Sequence, residues 1–95
     1  MSMRVLLRGR LMCSDAAEAE LVGAHLPRHV ELTRAEPGCI RFEVLSTDDP
    51  LVWTVDEEFA GESAFRAHQE RVAASEWGRA TAGIRREYET ERRQG

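Results

Sequence analysis

The chain has 95 residues, of which 42% are apolar and 32% charged, with a formal net charge of −4. That length supports a single core burying a little over about 60% of the unfolded surface, and the composition is that of a folded domain rather than a disordered one. Arginine interleaved with glutamate in a net-negative chain, as in Arg85-Arg86-Glu87 and Glu91-Arg92-Arg93, argues against a nucleic-acid partner, and no apolar run reaches the ~20 residues of a membrane span.

In chain order, residues 3–12 alternate Val5, Leu7, Gly9 and Leu11 against Leu6, Arg8, Arg10 and Met12, which predicts a strand with one apolar face. Arg8 and Arg10 also interrupt what a signal peptide would need as an apolar stretch, so a cytoplasmic protein is expected. Ser14 or Asp15 offers a helix N-cap, with Glu18 completing a capping box. The helix is expected to run to Arg34 on a stripe of Ala19, Val22, Leu26, Val30 and Thr33, with Pro27 kinking or splitting it. Pro37-Gly38 stops it: proline disfavours helix at Glu36, and glycine permits the reversal.

Residues 39–46 alternate again, Ile40, Phe42 and Val44 opposite Cys39, Arg41 and Glu43. Thr47-Asp48-Asp49-Pro50 is turn chemistry, and residues 51–59 form a third strand with Trp53, Val55 and Phe59 on one face. The short connection makes these two an antiparallel hairpin. Gly61 opens a second helix with Ala64, Phe65, His68 and Val72 on one stripe, Ser75 caps a short turn carrying Trp77, and Ile84, Arg86 and Tyr88 mark a last strand. The order βαββαβ predicts an α+β, ferredoxin-like domain: a four-stranded antiparallel sheet with both helices on one face. The domain covers 1–90, and 91–95 form a polar tail. The opposite face collects Arg8, Arg10, Arg41, Glu43, Asp56, Glu58, Arg85 and Glu87; either water or a second copy of the sheet covers it.

Few residues invite chemistry. Cys13 and Cys39 lack CxxC spacing and read as reduced thiols. His25 and His29 have the spacing of metal ligands on a helix, but no third ligand accompanies them and Pro27 lies between, so they read as surface histidines and no metal is expected. His68, on an apolar stripe, is either a packed core histidine or a reactive one. Glu58 is either an ion-pair partner on the open face or a pocket carboxylate, the ion pair being favoured.

The run Thr33-Arg34-Ala35-Glu36-Pro37-Gly38-Cys39, followed by Arg41-Phe42-Glu43, Asp49-Pro50, Glu58-Phe59 and the helical Phe65-Arg66-Ala67-His68, carries a resemblance that spans residues 3–90. On it the chain resembles the antibiotic biosynthesis monooxygenase, or quinol monooxygenase-like, family of dimeric α+β barrels. The resemblance implies a homodimer joined through the sheet faces, each subunit holding a small pocket between its sheet and helices. It also implies oxidation of phenolic or quinol-type compounds by molecular oxygen without metal or flavin. His68 would then be the acid/base residue, and Phe42, Trp53, Phe59, Phe65, Val72, Trp77 and Tyr88 the candidate pocket lining. The better-understood members also use an asparagine; this chain has none, and Arg8 and Arg10 are the charges its first strand offers instead. The alternatives are a non-enzymatic dimeric module for a small hydrophobic ligand, and haem ligation through His68.

Overall fold

The computed structural model describes residues 3–94. Its elements are β1 (Met3–Met12), α1 (Ala16–Arg34), β2 (Cys39–Ser46), β3 (Val52–Phe59), α2 (Glu62–Ala73), a short α3 (Glu76–Ala80) and β4 (Arg85–Gln94). The four strands form one sheet in the order β2-β3-β1-β4, every pairing antiparallel. This is the ferredoxin-like α+β arrangement predicted from the sequence. No helix among the described residues is long and apolar enough to cross a membrane.

Local chemistry sets the boundaries. Asp15 caps α1 by accepting the Glu18 N–H at 2.9 Å, and the Glu18 carboxylate accepts in return from the Ser14 N–H and hydroxyl. Pro27 does not split α1, which runs unbroken to Arg34. Its stripe packs as expected, with Val22 and Thr33 buried and Ala19, Leu26 and Val30 against the core. Ser75 caps α3 by accepting the Gly78 N–H.

Two strand expectations need correction. Ile40 is 53% exposed rather than inward-facing, because a register shift between Cys39 and Arg41 leaves it as the extra residue of a bulge. Cys39, opposite Phe59, therefore faces the core, while Phe42 and Val44 keep their inward phase. Residues 91–94 are not a separate tail: they continue β4, pairing with Met3 to Leu6 while remaining solvated.

The core lies between the sheet and the helices, around Val5, Leu7, Leu11, Val22, Phe42 and Phe59. Across the sheet, most of the charged face is paired within the chain. Arg8 and Arg41 meet Asp56, Arg10 meets Glu87, and Glu58, though 4% exposed, is held between Arg4 and Arg41. Glu58 is thus an ion-pair residue of the open face.

Candidate functional site

The site is assembled by the turn after α1. Gly38 has φ +87, and a Cβ there would lie 2.6 Å from the Ala64 side chain. Only glycine permits both the left-handed turn and so close an approach to α2. The Gly38 carbonyl accepts the Ala60 N–H at 2.7 Å, tying the turn to the end of β3. Glu36, two residues before Gly38, is thereby carried against His68, one helical turn beyond Ala64.

His68 is 5% exposed, and its Nδ1 lies 2.9 Å from Glu36 Oε1. Glu36 also accepts from Arg71 Nε, while Arg71 Nη2 donates to Thr33 Oγ1 at 2.9 Å. Glu36 is an acceptor on both sides, so Nδ1 carries the hydrogen and Nε2 presents its lone pair. Burial lowers the His68 pKa, although the Glu36 charge and hydrogen bond pull it back upward; the ring is neutral and able to accept a proton.

Facing Nε2 is Glu57, whose Oε1 stands 3.7 Å away and is not within hydrogen-bond range. Burial, with the Glu36 and Asp56 charges added, raises the Glu57 pKa to about 7. The carboxyl and the imidazole are therefore both free to engage a third group.

Around them lies a cavity of about 400 Å3 between sheet and helices. Five of the candidate lining residues, Phe42, Phe65, Val72, Trp77 and Tyr88, border it together with His68. The other two do not. Phe59, fully buried, packs its ring 4.8 Å from the His68 ring as a backing. Trp53 stands at the other end of β3, paired across from Leu11 and Ser46. The far wall holds Arg86, which donates to the Thr81 and Ile84 carbonyls at 2.8 and 2.9 Å and to Thr81 Oγ1 at 2.7 Å. Among the described residues no carboxylate pairs with it, so its charge is not cancelled. Tyr88 beside it has its pKa pushed up to about 12 by burial and stays a phenol.

Arg8 and Arg10 are not in this site. They alternate with Leu7, Gly9 and Leu11, so they project from the opposite face of the sheet. The surface reading of His29 also needs correction: it is 5% exposed, and its ring stacks on Trp77 with centroids 4.4 Å apart and planes 3° from parallel. Burial, with smaller contributions from His68, Arg71 and Arg86, drives its pKa down to about 3. The described residues contain no group of three His, Cys, Asp or Glu placed to hold a metal ion. Both cysteines are free thiols with pKa values raised first by burial.

Sequence reasoning missed Glu57, Glu36 and His29 as site residues. Two of them left a signal. Glu57 continues the inward series Trp53, Val55, Phe59 and so puts a carboxylate on the apolar face. His29 falls on the stripe Val22, Leu26, Thr33. Glu36 left none beyond its place in the turn, because its partner lies 32 positions away.

An α+β domain with an aromatic-lined, histidine-bearing cavity between sheet and helices defines the class of protein. The family model for antibiotic biosynthesis monooxygenases matches residues 10–80, and the chain belongs to that family. No curated protein matches the chain in sequence. Among solved structures, a putative antibiotic biosynthesis monooxygenase from Nitrosomonas europaea is 20% identical, with TM-score 0.77 over 100% of this chain and 92% of that one. SnoaB, a cofactor-independent oxygenase from Streptomyces nogalater, is 20% identical, with TM-score 0.73 over 95% and 92% of the two chains. A protein of unknown function from Bacteroides thetaiotaomicron, described as a possible oxidoreductase, is 14% identical, with TM-score 0.78 over 97% and 99%. These likenesses establish a common fold.

Proposed function

We propose that this protein oxidises a small phenol- or quinol-type aromatic compound with molecular oxygen, using no cofactor, and that it works as a homodimer. The observation that carries the reading is the neutral His68, oriented through Nδ1 by Glu36 and offering Nε2 to a cavity walled by Phe42, Phe65 and Trp77. Family membership and the fold shared with a cofactor-independent oxygenase support it.

The chemistry follows from these positions. Nε2 takes the proton of a bound phenol, and the resulting phenolate is electron-rich enough to pass an electron to dioxygen. The radical pair joins at a ring carbon to give a peroxide. One oxygen atom stays on that carbon as a carbonyl, and the other leaves as water, taking the carbon's one hydrogen and the proton that His68 returns to the peroxide. Arg86, held by neutral oxygens, supplies positive charge where anionic oxygen develops.

Oxygen uptake with hydroquinones and anthrones tests the reading. Wild type is expected to consume oxygen well above the buffer rate, and His68→Ala to lose on the order of 10²-fold or more of that excess. Uptake at the buffer rate by both proteins would dispose of the catalytic role.

A further inference from the structure

A second cavity, of about 480 Å3, lies in the groove between α1 and α3. Of the residues lining it, two alone also line the inner cavity: His29 and Trp77. Their stacked rings are the wall between the two spaces. Polar bonds do not hold this wall at His29, whose Nδ1 is buried without a hydrogen-bond partner among the described residues. Native interiors leave few polar atoms in that state, and stacked rings can slide apart without breaking a hydrogen bond.

The outer groove is unlike the inner chamber in charge. Arg28, Arg71 and Arg79 line it with His25, against one lining carboxylate, Glu76. Arg28 is tied to the exposed Glu31 on its own helix, an i,i+3 pair of the kind that exchanges readily for another anion. Arg79 donates to the Ala74 carbonyl at 2.9 Å, and among the described residues no carboxylate pairs with it. Arg79 thus stands available to an anion on the far side of the ring wall from His68, and Arg28 joins it by exchanging Glu31.

We infer that the two cavities form one bipartite site parted by the His29–Trp77 stack, and that its ligand is an aromatic ring bearing an acidic arm. The ring occupies the chamber of His68 and Glu57. The acid reaches past the stack to Arg28 and Arg79. This rests on the reading of the inner chamber as an aromatic site and extends it to the substrate's charge.

Calorimetric titration of the full chain with 6-hydroxy-2-naphthoate and with neutral 2-naphthol tests it. The acid is expected to bind about tenfold more tightly at low ionic strength, a margin that salt erodes and that the double variant Arg28→Ala/Arg79→Ala abolishes. The same variant should leave 2-naphthol affinity within twofold, since both arginines lie outside the inner chamber. Equal affinities for the two compounds, or an acid margin that survives in the double variant, would overturn the bipartite site while leaving the aromatic chamber intact. If neither compound binds, the chamber reading and its extension fall together.

Discussion

At the scale of single residues, two side chains of the site, Glu57 and His29, have charge states set by burial. Glu57, with its pKa near 7, is a neutral acid over the lower part of the physiological range and a second negative charge above it. An anion in a low-dielectric cavity repels another, so affinity for a phenolate ionised throughout, such as 2,4-dinitrophenolate, should fall as pH rises through about 7 in wild type. In Glu57→Gln it should be flat over the same range. Stability provides an independent check. His29 is neutral in both folded and unfolded chains above pH 6.5; below that, the unfolded chain takes up a proton that the folded one refuses until about 3, so stability is lost as pH falls across this window. Glu57 has the opposite sign: between 4.5 and about 7 the folded chain holds a proton that the unfolded chain has released, so stability is lost as pH rises. Thermal midpoints against pH should therefore show a shallower acid limb in His29→Phe, the lowered His68 supplying the remainder, and a smaller loss with rising pH in Glu57→Gln. Both groups were visible in principle as polar residues on apolar stripes. What sequence could not supply was their company, since Trp77, Tyr88 and Glu36 reach them only through the fold.

At the scale of elements, the turn between α1 and β2 matters most, because it places Glu36 and starts the strand. Gly38→Ala would force an L-residue into a positive φ and press a methyl group onto Ala64. A loss on the order of 2–4 kcal/mol is expected in denaturant titrations, with the His68–Glu36 contact disturbed. Asp15→Ala removes only a solvent-exposed cap and should cost about 1 kcal/mol with ligand affinity unchanged. These boundaries were legible from sequence because caps and glycine-proline turns are local chemistry. The bulge at Ile40 was not, because alternation gives the period of a strand and not the place where its partner slips by one. Gly9 has a similar non-local cause: a Cβ there would lie 2.0 Å from the Glu87 carbonyl oxygen and 2.8 Å from both the Cα and the ring of Tyr88, so the glycine in β1 admits the close approach of the β4 backbone.

For the whole molecule, the open sheet face bears on assembly. Most of its charges are matched internally, with Arg4 and Arg41 flanking the buried Glu58, so the face is not a field of one sign that would repel a copy. Ile40 and Leu45 on the β2 edge are the larger apolar groups left exposed nearby, at 53% and 56%. Sedimentation at micromolar concentration is expected to give twice the chain mass; a single species of one chain mass would remove the proposed dimer without touching the pocket. The sequence by itself determined the order of elements, the sheet with helices on one side, and the position of His68 on a buried stripe, since these depend on periodicity and caps read over a few residues. Only the tertiary structure decided which groups His68 works with. Glu36, Glu57, His29 and Arg86 come from four different segments, and their burial, charge and bonding arise from packing that no local pattern encodes.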